Sequence, residues 1–144
     1  MKTLKDGQSE SDLLELANIL NINIDGIDFT ENLFKNNEIE EGNYITNIGK
    51  LKSGGTHWVG FKLYDNYLFY YDSFGYRPKN IIVDFCKKND LKLLYNIDEF
   101  QDLKESLCGL YVMLFFLLDS YSFVKNKKDF DQLLNEMKYW VIEV

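Results

Sequence analysis

The sequence predicts an α+β fold in one domain spanning residues 1–144, and three features predict it. Two aromatic and β-branched runs flank Asp65-Asn66, the pattern of a β-hairpin. The run from Leu107 to Leu118 is apolar on every side, as a central buried helix would be. Helical stretches with one apolar face stand before and after these two features. A length of 144 residues fits a single domain, and 46% hydrophobic with 16% aromatic residues is enough to build a real core.

Residues Ser9 to Leu20 predict the first helix, because Ser9 or Ser11 can cap its start and Leu13, Leu14, Leu16, Ile19 and Leu20 form one apolar face. From there to about Lys52 the chain is rich in Asn, Asp, Glu and Gly. That stretch reads as irregular, with one short strand near Tyr44-Ile45-Thr46-Asn47-Ile48. Trp58 to Tyr64 and Tyr67 to Tyr71 are the hairpin strands, joined by the two-residue turn chemistry of Asp65-Asn66. Antiparallel pairing then brings His57, at the beginning of the first strand, to the same sheet edge as Asp72, at the end of the second. Pro78 is placed to begin a helix running to about Asn89, with Ile81, Ile82 and Phe85 inward. Leu91-Lys92-Leu93-Leu94-Tyr95 reads as another strand. Glu105-Ser106-Leu107 leads into the buried helix, and a last amphipathic helix is expected from about Lys128 to Tyr139. No repeat or low-complexity segment marks a domain boundary.

The net charge of -7 gives no global reason to bind DNA, RNA or an anionic membrane. Lysines gather only locally, at Lys87-Lys88 and at Lys125, Lys127 and Lys128, as solvated helix ends do. The opening residues, Met1 to Gln8, hold no apolar run that could serve as a signal peptide, so export by that route is not expected. The apolar run at Leu107 is about 12 residues, short of the roughly 20 needed to span a bilayer. A soluble intracellular protein is expected, with both cysteines as thiols. Cys86 reads as a half-buried helical residue, with redox control as its alternative.

The only histidine, His57, lies in Gly55-Thr56-His57-Trp58. An aspartate in Tyr71-Asp72-Ser73-Phe74-Gly75 and a cysteine in Leu107-Cys108-Gly109 follow it. A nucleophile, a base and an orienting carboxylate are the minimum kit for thiol acyl transfer. Cys108 falls at the first turn of the central helix, where unpaired N–H groups and the helix dipole favour a thiolate. Its plain alternative is a small packing residue. Gly109 would leave space for a peptide backbone to approach the sulfur, a feature that a helix built only for packing does not need. In the same reading His57 takes the thiol proton and Asp72 fixes the imidazole, although Asp72 could also simply start a turn. Trp58 would wall the site and exclude water, or fill core. Gln101, seven residues before Cys108, could donate to a developing oxyanion together with the Cys108 N–H, a contribution of roughly 2.7 to 4 kcal/mol in comparable sites.

The order His57-Trp58, Asp72, Gln101, Cys108-Gly109 resembles the adenain-like cysteine proteases. That superfamily holds the adenovirus maturation protease and the Ulp-type enzymes that process SUMO-type precursors; the likeness is to the short versions encoded by virophages and Polinton or Maverick elements. The match covers about Asn43 to Leu118, roughly half the chain. The resemblance implies a central helix carrying the Cys packed on a small mixed sheet carrying His and Asp, flanked by helices. It also implies His57 as base, Asp72 as orienter, Gln101 as oxyanion donor, Cys108 as nucleophile, and Trp58 lining a narrow channel that favours glycine-rich cleavage sites. Three departures stand out: Asp72 in place of Glu, a short segment from Asp72 to Cys108, and an acidic chain where the adenovirus enzyme binds DNA.

The resulting expectation is a viral maturation cysteine endopeptidase that cleaves capsid or other virion precursors in the virion and in the infected host-cell cytoplasm. It would act as a monomer, with no metal or cofactor and with an activating peptide as a possible partner of the kind the resemblance implies. The alternatives are a protease specific for ubiquitin- or SUMO-like proteins, an acyltransferase using the same triad, and a non-catalytic scaffold that retains the fold.

Overall fold

The computed structural model describes residues 8–35, 39–50, 56–97, 99, 107–119 and 140–143. Within them the chain is α+β, built on one six-stranded mixed sheet whose strands lie side by side in chain order.

Helix α1, Glu10–Ile19, starts where its sequence says it must. The Ser9 hydroxyl accepts from the Asp12 N–H at 3.2 Å, and the Asp12 carboxylate accepts from the Ser9 N–H at 2.9 Å, a reciprocal capping box. The following stretch is more ordered than expected. It forms an edge strand β1 (Gly26–Phe29), a single helical turn α2 (Thr30–Leu33) and a nine-residue strand β2 (Gly42–Lys50). β1 pairs parallel with β2, and β2 pairs antiparallel with the next strand. β1 carries no period-2 signal because its burial does not alternate: Gly26 and Ile27 are half-buried, and the adjacent Asp28 and Phe29 are both exposed.

The hairpin is β3 (Thr56–Tyr64) and β4 (Tyr67–Tyr71). Asp65 and Asn66 take φ values of 47° and 69°, both left-handed, as the tight primed turn between twisted strands requires. Next comes α3 (Asn80–Lys88), capped by Lys79. Pro78 therefore lies outside the helix rather than at its first position; its fixed φ sets the approach instead. Ile82, Val83, Phe85 and Cys86 are the buried residues of α3, so Ile81 sits at the rim and Cys86 is fully rather than half buried. β5 (Lys92–Asn96) pairs parallel with β4, and α4 (Cys108–Asp119) follows. β6 (Trp140–Glu143) closes the sheet antiparallel to β5, so the apolar C-terminal run docks on its own chain. The helix expected near Lys128 to Tyr139 lies outside the described residues.

Strand alternation divides the core into two layers. Ile45, Trp58, Phe69, Tyr71 and Leu94 face α1 and α4. Tyr44, Val59, Phe61, Leu68, Tyr70, Leu93 and Tyr95 face the other way, against α3 and Phe34. Lys62, 2% exposed, interrupts the first layer, and its ammonium lies 5.6 and 5.9 Å from the Phe115 and Phe116 ring centres. Helix α4 packs over β3 through Val112, Met113, Phe115 and Phe116 but is not buried all round, since Leu114 is 45% exposed. A uniformly apolar run hides which face meets solvent. Gly60 sets the closeness of that packing: a Cβ there would stand 2.7 Å from Val112 Cγ1 and 3.1 Å from Phe116 Cζ.

The substitution Gly60→Ala should therefore destabilise the protein by about 1–3 kcal/mol through overpacking between β3 and α4. Urea unfolding followed by far-UV circular dichroism measures this, and an unchanged midpoint would show that α4 does not press on the strand.

Candidate active site

β3 begins and β4 ends at the same end of the hairpin, with Gly60 opposite Tyr71 in the ladder. Three residues back along β3 stands His57, and one residue beyond β4 stands Asp72. His57 Nε2 lies 2.6 Å from Asp72 Oδ1, and both side chains are withdrawn from water. By strand parity both belong to the layer of Val59 and Tyr70, whereas Cys108 comes from the helix covering the opposite layer. The link is made by the next residue of β3, Trp58, whose backbone N–H donates to Cys108 Sγ at 3.4 Å.

The carboxylate of Asp72 is held from several sides. Its Oδ1 also accepts from the Phe74 N–H at 2.8 Å, and its main-chain carbonyl accepts from the Gly75 N–H at 2.8 Å. Asp72 thus starts the turn and orients His57 at once, so the two readings of it are one structure. Gly75, at φ 74°, supplies the left-handed residue that completes the turn. Asn96, at the end of β5, clamps the same backbone: its amide donates to Asp72 O at 2.6 Å and accepts from Asp72 N at 2.9 Å. The Phe74 ring stacks on the imidazole with centroids 4.3 Å apart and planes 8° from parallel. Neither Phe74 nor Asn96 was singled out in the sequence, though a lone polar residue ending the apolar strand Leu93-Leu94-Tyr95 was the available signal for Asn96.

Burial opposes charge on the His57 ring. The hydrogen bond to Asp72 and the nearby Cys108, with the negative charge each can carry, outweigh that and push its pKa up from 6.5 to about 9. The adjacent phenols of Tyr70 and Tyr71 are raised by burial first, and Asp72 adds to this, so both stay neutral. His57 is then the group of the three whose charge changes within reach of ordinary pH. With Nε2 committed to Asp72, Nδ1 is the nitrogen left for the thiol; it is buried and makes no hydrogen bond of ordinary geometry among the described residues. Such pairs commonly tighten only when substrate is bound.

Cys108 is the first residue of α4, and the Tyr111 N–H already bonds back to the Leu107 carbonyl, so the main-chain N–H groups of the opening turn lie beyond intrahelical pairing. Gly109 corrects the expectation made of it. The space that its Cβ would fill is occupied by Leu13 Cδ2 at 2.5 Å and Gln8 Oε1 at 2.8 Å, so close packing of α1 and Gln8 on α4 does require a glycine. Trp58 is buried against Cys108 in the same layer, and its indole N–H donates to the Gln8 carbonyl at 2.9 Å. Both polar atoms of the Gln8 amide are buried and without a partner among the described residues, a state that costs about 1–3 kcal/mol in general. Sequence reading did not single out Gln8, since one glutamine before a helix carries no signal. Gln101 lies outside the described residues. Cys86 sits across the sheet in the α3 layer, and both cysteines are thiols.

Among the described residues no cluster of His, Cys, Asp or Glu is placed to hold a metal ion, and no helix is long and apolar enough to cross a membrane. A cavity of about 410 Å³ between Leu20, Asn43, Tyr64 and Phe116 lies at the far end of β3 and α4 from Cys108. The sequence matches no family model and no curated protein.

A single histidine makes its titration directly readable by long-range ¹H–¹⁵N NMR. The midpoint should fall near 9, and Asp72→Asn should bring it down sharply, because burial would then act almost unopposed. Since the folded pKa is raised, the stability this pair contributes is complete below about pH 6.5 and is lost as pH rises through about 9. A wild-type midpoint at 6.5 would remove the ion pair from the description.

Proposed function

We propose that the protein is a cysteine endopeptidase with Cys108 as nucleophile, His57 as general base and acid, and Asp72 as the group that orients the imidazole. The observation that supports this most is the buried His57–Asp72 pair set beside a cysteine that opens a helix. A structural thiol needs no imidazolium held charged to about pH 9.

In this reading the proton of Cys108 passes to His57 Nδ1, giving a thiolate and an imidazolium stabilised through Nε2 by Asp72. The thiolate attacks the scissile carbonyl carbon, and the C=O electron pair moves to oxygen. The Cys108 main-chain N–H, at the positive end of α4, stabilises that oxyanion, together with the Gln101 amide that the sequence resemblance supplies. Collapse breaks the C–N bond while Nδ1 gives its proton to the leaving amine, and a thioester remains. Water, deprotonated by His57, then attacks the thioester carbonyl, releasing the acid product and the thiolate. The Trp58 main-chain N–H on Sγ favours the anionic sulfur in both halves of the cycle.

The adenain-like order of these residues leads us to assign the substrates as capsid or other virion precursors cut at glycine-rich sites, in the virion and the infected cell. Trp58, walling the thiol, is suited to exclude side chains larger than glycine next to the scissile bond.

Iodoacetamide labelling from pH 5 to 9, with Cys108 and Cys86 read separately by mass spectrometry, tests the chemistry. Cys108 should label fast at mildly acidic pH, and His57→Ala should slow it by about 10²-fold or more. Cys108→Ala should abolish cleavage of Gly-Gly-containing precursor peptides. Equal, slow labelling of both thiols would defeat the protease reading, and cleavage of ubiquitin-like conjugates in place of precursor peptides would reassign the substrate.

A further inference from the structure

The catalytic scheme leaves Gln8 unused, although it sits at the most sensitive point of the site. Its Oε1 lies where a Cβ on Gly109 would be touched at 2.8 Å, one residue along α4 from the nucleophile. Its main-chain carbonyl holds the indole of Trp58 at 2.9 Å, and the main chain of Trp58 in turn holds Cys108 Sγ. Gln8, Trp58 and Cys108 therefore form one connected group. Yet the side-chain amide of Gln8, with donors on Nε2 and an acceptor on Oε1, is buried there with nothing among the described residues to bond to.

We propose that Gln8 is a substrate-binding residue: its amide pairs with the backbone of the peptide residue on the acyl side of the scissile bond. This rests on the endopeptidase reading above and deepens it. A primary amide is self-complementary to a peptide group, accepting from its N–H and donating to its C=O. An extended peptide laid across the opening of α4 offers that pair whatever its side chains are. Among the described residues the amide has no partner, and the complex satisfies it. Gln8 lies immediately before the Ser9 cap, and its main-chain carbonyl is held by the Trp58 indole. The partner chemistry is consequently a peptide main chain stripped of bulk: Leu13 and Gln8 already fill the space beside Gly109, leaving the glycine-rich stretches of a precursor as the segments that fit.

Two electrophiles separate this role from a structural one. Iodoacetamide has no peptide backbone to recognise, whereas an acetylated peptide ending in Gly-Gly vinyl sulfone must lie in the substrate position before the Cys108 thiolate adds to its double bond. Gln8→Met keeps the shape and removes the amide. It should slow inactivation by the peptidyl probe about tenfold, the loss expected for two hydrogen bonds. Labelling of Cys108 by iodoacetamide should stay within about twofold, with an unchanged or higher Tm, since an unpaired buried amide is removed. Gln8→Ala serves as the second variant and should show the same separation. Equal rates for both probes in wild type and variants would overturn the proposal, as would a parallel fall in both. A wild type that takes iodoacetamide rapidly at Cys108 but never the peptidyl probe would overturn the endopeptidase reading and this inference with it.

Discussion

An ion pair with no water around it is the constraint that organises this end of the molecule. Taking an imidazolium and a carboxylate out of solvent costs several kcal/mol per group unless geometry and further hydrogen bonds compensate. The surroundings supply part of that compensation, at Asp72 Oδ1 and the main chain, while His57 Nδ1 and Asp72 Oδ2 are buried without a partner among the described residues. Phe74 gives its N–H to the carboxylate and its ring to the imidazole, Gly75 closes the turn, and Asn96 fixes the Asp72 main chain from a different strand. Phe74 and Gly75 belong to the Asp72 turn itself, but His57 comes from β3 and Asn96 from β5, so the sheet must be assembled before the pair is complete.

The two layers of the core then place Cys108. Strand parity sends His57 and Asp72 to the α3 side and gives the α4 side to Trp58, so one short strand segment carries the imidazole and also makes the backbone contact to the thiol. Gly60 allows α4 to lie close on β3, and Gly109 allows α1 and Gln8 to lie close on α4. Two absent side chains thereby set the depth at which Cys108 sits.

Legibility in the sequence followed the strength of each local signal. The hairpin was readable because alternation and the Asp65-Asn66 turn agree, and from it the meeting of His57 with Asp72 followed by geometry alone. β2 was legible over Tyr44 to Ile48, five of its nine residues, whereas β1 was missed, since a four-residue edge strand holds by its pairing with β2 rather than by a pattern of its own. Gly109 was read as room for substrate, whereas the room belongs to Leu13 and Gln8, contacts far enough along the fold that no local pattern encodes them. Asn96 and Phe74 act through hydrogen bonding and stacking, which periodicity does not report. Gln101 cannot be judged from the described residues.

The hairpin also works as a ruler. His57 and Asp72 meet because the register that sets Gly60 opposite Tyr71 puts them on one face of the hairpin, offset by two positions, and the strands join at a turn with no slack, both of whose residues are left-handed. An extra residue within that stretch reverses the parity of everything beyond it and carries one partner to the wrong side of the sheet. The number of residues separating His57 from Asp72 is thus fixed by pleat geometry, whereas the spacing from either to Cys108 is not. A residue added between Asp72 and Cys108 leaves the parity of the hairpin untouched, and one added inside it does not.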